Sequence, residues 1–297
     1  MKVLVTGGNG FIGGHVIDRL IAQGHRPVSF DRYGVPHRPD VEFRPGDIRD
    51  AESVNAAMAK VDGVINLAGI LGTSETIERP RFTVQSNLLG AINIFSACRD
   101  QGKKGVHITV GNYWMNNPYA ITKNAAERTA MVFNKNFGSR IAVVRGLNAY
   151  GERQKTTPVR KIVPNVIVPA LTGGEVLVYG DGEQLMDMIY VGDLAEVLIR
   201  ALVLNHGCYD SVIEAGRGKE LTPSINELVD NVVAQVGNPA CKVRHVPMRG
   251  GEPERSVVIG DPRTLAPLGF TVDDMVSLDD GIAKAIEWYR AHLKEFA

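Results

Sequence analysis

Tyr119 and Lys123 stand four residues apart, a spacing that puts both on one face of a helix. Together they can do acid-base chemistry. A phenol with a pKa of about 10 is a poor base near neutrality. An ammonium one turn away, or a positively charged ring beside it, favours the phenolate. A phenolate can take a proton from a substrate hydroxyl while hydride leaves the same carbon. Thr109 ends the preceding strand pattern and can hydrogen-bond that same oxygen. The plainer alternative is an exposed tyrosine, a solvated lysine and a structural threonine. Position favours chemistry: the pair opens the helix after the fifth strand, where the carboxyl ends of a parallel sheet gather ligands.

A second group of residues can hold a dinucleotide. The loop Thr6-Gly7-Gly8-Asn9-Gly10-Phe11-Ile12-Gly13 follows a strand and opens a helix. Its glycines fit GxxGxxG (Gly7, Gly10, Gly13) or GxGxxG (Gly8, Gly10, Gly13). Either frame permits a tight turn and close backbone approach to a pyrophosphate. Phe11 and Ile12 begin the helix, whose unpaired N–H groups attract phosphate. Asp31 ends the second strand at the distance expected of a carboxylate that binds ribose hydroxyls and repels a 2′-phosphate, which favours NAD. Arg32 beside it is the one feature that would suit NADP. After the third strand, Asp47 and Ile48 can contact an adenine edge, and Asp47 or Asp50 can cap a helix; the two readings are compatible.

These groups need a frame. Apolar runs at residues 3–5, 27–30, 41–43, 64–67, 106–110 and 141–144 read as strands, with helical patterns between most of them and a helix over 11–23. The alternation predicts an α/β fold: a Rossmann-type doubly wound parallel sheet with a smaller C-terminal α/β lobe. We expect a dinucleotide-binding domain over 1–152, with 185–205 returning to it, and a substrate-binding lobe over 153–297. Helices are expected at 193–204, 223–236 and 278–294. The chain has 297 residues with 33 basic and 33 acidic side chains, so no broad basic field points to nucleic acid. Cys98, Cys208 and Cys241 are few and scattered, which predicts no disulfide framework. Neither CxxC nor HExxH occurs, so no metal site is expected. No apolar run nears the roughly 20 residues of a membrane span. The expectation is a soluble cytoplasmic protein.

The motifs then carry a family resemblance over nearly the whole chain. The glycine loop, Asp31, Gly46-Asp47, Asn66-Leu67-Ala68-Gly69, Asn87-Leu88-Leu89-Gly90, Tyr119…Lys123 and Arg145–Gly151 resemble the extended short-chain dehydrogenase/reductases. So do Tyr179–Gln184, Ile189–Asp193, Arg249–Glu252 and Ile286–Tyr289, and the set is similar to the nucleotide-sugar epimerase/dehydratase branch. The resemblance implies a tightly held NAD, reduced and reoxidised within one turnover, and a nucleoside-diphosphate sugar as substrate. It implies that Tyr119 is the acid/base, Lys123 binds the nicotinamide ribose, and Thr109 holds the reacting hydroxyl. It also places Leu67 and Ala68 against the cofactor, Asn148 on the sugar-phosphate and Arg249 on the diphosphate. A homodimer through helices near 80–99 and 119–137 is implied as well.

Three departures bear on the reaction. In 4,6-dehydratases an Asp-Glu pair follows the threonine; here Val110-Gly111 follows Thr109, and neither side chain moves a proton. The segment from Thr109 to Tyr119 is shorter than in most extended members, which opens the sugar pocket. Met186 replaces an arginine that grips the diphosphate, and Arg153, Lys155, Arg160 and Lys161 are the candidates to compensate. The favoured reading is a nucleotide-sugar epimerase inverting C4 of a hexose through a 4-keto intermediate. The alternatives are a reductase or dehydrogenase of a keto-sugar, and an idle dinucleotide sensor.

Overall fold

Short apolar runs closed by glycine or by polar residues become the strands of one large parallel sheet. The computed structural model describes residues 1–34, 36–204 and 209–296, so Cys208 lies outside the described residues. The first half runs β1 (Lys2–Thr6), α1 (Phe11–Ala22), β2 (Arg26–Asp31), β3 (Glu42–Pro45), α2 (Ala51–Met58) and β4 (Gly63–Asn66). It continues through α3 (Pro80–Val84), α4 (Gly90–Asp100), β5 (Lys104–Val110), α5 (Pro118–Phe137) and β6 (Arg140–Gly146). A π-helical turn, Gln85–Leu89, joins α3 to α4.

The second half holds β7 (Asn148–Tyr150), α6 (Ile162–Thr172), β8 (Glu175–Tyr179), β9 (Leu185–Met186), β10 (Met188–Tyr190) and α7 (Val191–Val203). β11 (Val212–Ala215), α8 (Ile225–Val236), β12 (Lys242–Val246), β13 (Val257–Val258) and α9 (Leu278–Ala291) follow. The large sheet has seven strands in the order β11-β6-β5-β4-β1-β2-β3, each pair parallel. Six of them come from the first half and match the doubly wound order. The seventh, β11, has only four residues and no pattern that the sequence reading picked out.

Alternation along the strands serves two layers. Val3 and Val5 pack with α1 and α7, while Leu4 packs with α2, α4 and α5. α7 is buried along most of its length, with Leu194, Val197, Leu198 and Leu202 fully enclosed. Each such side chain contributes roughly 1.5–3 kcal/mol of burial. Leu265, Leu268 and Phe270 also join this layer, so the chain crosses between its halves more than once. The remaining elements form a third cluster around α6, α8, α9 and β8. Their strands meet only in pairs: β7 with β10, β8 with β12, and β9 with β13.

Val84 and Leu89 near α4, and Ile121 and Val132 on α5, are large apolar side chains left exposed. Among the described residues no helix is long and apolar enough to cross a membrane. Cys98 is buried, and burial pushes its thiol up to about 12.

Candidate active site

One cleft of about 610 Å³ runs across the carboxyl ends of the sheet and under α6. The glycine loop, Asp31 and Arg32, Asp47 and Ile48, Leu67 and Ala68 line one end of it. Thr109, Tyr119 and Lys123 line the middle, and Asn148 and Arg249 also lie on its wall. The fold thus brings the dinucleotide candidates, Thr109, Tyr119, Lys123, Asn148 and Arg249 to a single cavity, while Arg153 and Lys155 do not line it.

The glycine loop is fixed by close backbone approach. Gly7 has φ +68°, and a Cβ there would lie 3.0 Å from the Ala68 nitrogen. A Cβ on Gly13 would lie 2.2 Å from the Gly7 oxygen. Gly10 is the N-cap of α1 and offers no side-chain cap, so the helix presents unpaired N–H groups at the cleft. The Asp31 carboxylate accepts from the Asn9 and Tyr33 backbone nitrogens at 3.2 and 3.3 Å.

Asp50, not Asp47, caps α2, accepting from the Glu52 and Ser53 nitrogens. Asp47 instead takes a two-point contact from Arg49 and a longer one, 3.6 Å, from Arg32. Burial raises the Asp47 carboxyl, but the hydrogen bonds and charge of Arg49 more than offset it, leaving it below the ordinary range. Arg32 and Arg49 also lie over the Phe82 ring, 5.6 and 4.8 Å from its centre. The one cation that would suit a 2′-phosphate is therefore paired with an acid and a ring. These features fit NAD: a loop that no Cβ could enter, an uncapped helix end, and a carboxylate ending β2.

A buried polar chain supports the loop from below. The Thr6 hydroxyl donates to Asn66 Oδ1 at 2.6 Å and accepts from the Leu67 and Ala68 nitrogens. Asn66 Nδ2 meets His107 Nδ1 at 3.0 Å. Burial, then the charge of Lys123, holds His107 well below its ordinary pKa, so it is neutral and Nδ1 accepts. His107 is not among the residues expected from the sequence, because a lone histidine in an apolar strand carries no visible signal of function.

At the centre, α5 begins where Asn117 and Pro118 make it begin. The Asn117 side chain accepts from the Ala120 nitrogen, and Pro118 occupies the first turn. This puts Tyr119 on the first turn, beside the end of β5. Lys123 Nζ donates to the Ile108 carbonyl at 2.6 Å, and the Thr109 hydroxyl donates to the Lys123 carbonyl at 3.2 Å. Burial lowers Lys123 to about 8 and pushes the Tyr119 phenol up. The expected depression of Tyr119 by Lys123 is thus not found; burial alone shifts each group, in the direction that disfavours its charged form. The short segment after Thr109 is anchored through Tyr113, whose ring lies 3.9 Å from the Arg145 guanidinium. Arg145 in turn is gripped by Glu127 and Glu214.

At the far end, Asn148 Nδ2 donates to the Asp187 carbonyl at 2.9 Å. Arg249 pairs with Glu252 and lies over the Tyr179 ring, 5.1 Å from its centre. Met186 lines the cleft, as do Glu75, Arg160, Lys161 and Glu252. Glu75 gave no signal in the sequence, since an acid in a loop is ordinarily solvated. Among the described residues no group of three or more His, Cys, Asp or Glu could hold a metal ion.

A seven-stranded parallel sheet with a glycine-loop crevice defines a Rossmann-type dinucleotide-binding protein. Residues 3–209 match the model of the NAD dependent epimerase/dehydratase family, and the chain belongs to that family. It is 29% identical to a putative UDP-glucose 4-epimerase of Methanocaldococcus jannaschii, over 97% of this chain and 98% of the relative. It is also 29% identical to a dTDP-glucose 4,6-dehydratase of an Actinoplanes species, over 98% of each chain. Among solved structures it resembles the UDP-glucose 4-epimerase of Thermus thermophilus in complex with NAD. That match has a TM-score of 0.86 and 28% identity, over 98% of this chain and 99% of the other.

Proposed function

We propose that the chain is an NAD-dependent nucleotide-sugar epimerase that inverts C4 of a hexose. One observation carries the choice within the family. Tyr119 is the proton-transfer group beside Thr109, and the two residues after Thr109 are Val110 and Gly111. Dehydration needs a further acid and base to remove water; C4 inversion needs one group that takes a proton and returns it. Relatives named for both reactions match at equal identity, so the support for this reading comes from the residues of this cleft.

The glycine loop, Asp31, Tyr119 and Lys123 would hold NAD, which supplies a reversible two-electron oxidation when bound. With the positively charged ring of NAD beside it to favour the phenolate against the effect of burial, Tyr119 would take the proton of the C4 hydroxyl and give it back once the sugar has turned over. Lys123, anchored on the Ile108 carbonyl, keeps a positive charge near that phenol when protonated. Thr109 orients the reacting oxygen by rotating its hydroxyl away from the Lys123 carbonyl. The short segment before α5 leaves room for a keto-sugar to present its other face.

The test is NMR of the protein with trace NAD and a panel of nucleotide sugars. The expected result is interconversion of two 4-epimers with no NADH accumulating. Loss of water from the sugar, or turnover only with stoichiometric NAD(P)H and a keto substrate, overturns the reading.

A further inference from the structure

The end of the cleft under α6 carries charged groups whose hydrogen-bonding capacity the fold leaves partly unused. Arg160 Nη1 donates to the Tyr179 hydroxyl at 2.9 Å. Arg249 Nη2 is held by Glu252, which also accepts from the Thr73 hydroxyl. The Arg249 Nε is buried without a partner, and so is the Glu75 Oε2. Lys161 makes no side-chain hydrogen bond and no close ion pair among the described residues.

The surroundings of Lys161 are unusual. It is the N-cap residue of α6, with no side-chain cap and no acid in the first turn. Caps are ordinarily Ser, Thr, Asp or Asn, and the positive end of a helix repels a cation. Here two cations in succession, Arg160 and Lys161, precede that end and line the cleft. Burial lowers the Lys161 pKa and the charge of Arg249 adds to this, while the nearby Glu75 and Glu252 carboxylates favour its charged form. A lysine at a helix N-terminus with neither pair nor cap is a poor choice for stability and a good one for binding an anion.

The opposite requirement arises at Met186, whose thioether lines the same cleft and cannot hold a phosphate. Of the four candidates to compensate, Arg153 is tied to Asp18 at 2.8 Å. Neither Arg153 nor Lys155 lines the cleft. Arg160 is engaged by Tyr179. Lys161 remains.

We propose that Lys161 binds the diphosphate of the substrate, supplying the cation that Met186 does not, together with Arg249. Glu75 balances its charge until the anion arrives. This inference rests on the nucleotide-sugar reading and names the residue that selects for that class.

The test uses the NAD-loaded protein titrated calorimetrically with UDP, dTDP, GDP and ADP. Wild type binds at least one of them. Lys161→Met and Lys161→Gln each weaken that binding about 30-fold, the scale of a lost charge-assisted hydrogen bond. Lys161→Arg keeps the affinity within about threefold, and Lys155→Met leaves it unchanged. Met186→Arg placed on Lys161→Met restores most of the loss, a rescue that a merely structural lysine would not allow. Bound NAD and melting temperature report folding in each variant. If wild type binds a diphosphate and the Lys161 variants bind it equally well, the inference falls and the epimerase reading stands. If wild type binds none of the four, both fall.

Discussion

The two ends of the cleft are built on different principles. Under the glycine loop the charged groups are already paired: Asp31 with two backbone nitrogens, Asp47 with Arg49 and Arg32, both guanidiniums over Phe82. Under α6, the Glu75 Oε2 and the Arg249 Nε have no partner, and the Lys161 ammonium is paired with nothing among the described residues. The first end rests on a seven-stranded sheet, the second on two-stranded pieces. A frame whose charged groups are paired suits a cofactor that stays bound through many turnovers. Unpaired charge on short elements suits a ligand that arrives, turns over and leaves, because its binding supplies the missing partners.

The strongest way to break this contrast is to cut the chemistry out of the middle. Tyr119→Phe should lower kcat about 1000-fold, within the range of a lost general acid-base group. Bound NAD and nucleoside-diphosphate affinity should stay near wild type, since the glycine loop, Asp31 and Lys123 remain to hold the cofactor and Lys161 and Arg249 remain for the diphosphate. Steady-state rates and calorimetry on the same preparation check this. Activity that survives the change would remove Tyr119 from the mechanism.

A smaller effect should be confined to one end. In Gly13→Ala the new Cβ starts 2.2 Å from the Gly7 oxygen, so the loop must move. Overpacking of this kind costs about 1–3 kcal/mol, which predicts NAD affinity down about 30-fold. Nucleoside-diphosphate affinity should be little changed, because α6 and its neighbours pack in a separate core cluster. Equal losses at both ends, measured by NAD release and by calorimetry, would mean that the cleft is a single coupled unit.

The same contrast explains what the sequence discloses. Five of the first six strands are visible as short apolar runs because they are buried on both faces, whereas β3, at the sheet edge, is only partly buried. The glycine loop and the Tyr/Lys pair are visible because their spacing is set by local geometry. β8 and β12 lie far apart in the chain yet pair from Glu175 with Lys242 to Tyr179 with Val246, and β9 and β13 are two-residue strands. Nothing local encodes such pairings. Glu75 and Lys161 read as loop charges until the fold brings them to one cavity. His107 and Asn66 become a supporting pair only once β4 and β5 align, at the register that sets one opposite the other. The arginine missing at Met186 is legible as a gap, but which cation fills it depends on tertiary contacts.

The smallest effect tests how dry the middle of the cleft is. Lys123 is buried with the Ile108 carbonyl as its hydrogen-bond acceptor, and burial lowers it from 10.5 to about 8. The folded protein therefore loses this proton at a lower pH than the unfolded chain. Between about pH 8 and 10 the unfolded state binds more protons, so stability rises with pH from this group alone. Below that window both states are charged, and the cost of burying the ammonium is present in full. Without NAD the Tyr119 phenol is pushed up, so it stays protonated in the fold through this window. Denaturant unfolding of NAD-free wild type and Lys123→Met across this range isolates the contribution. The difference between them should shift by roughly 2 kcal/mol in favour of wild type as pH rises. A flat difference would mean that Lys123 keeps its charge in the fold, solvated through the open segment before α5. The middle of the cleft would then belong with the unpaired end under α6 rather than with the paired charges under the glycine loop.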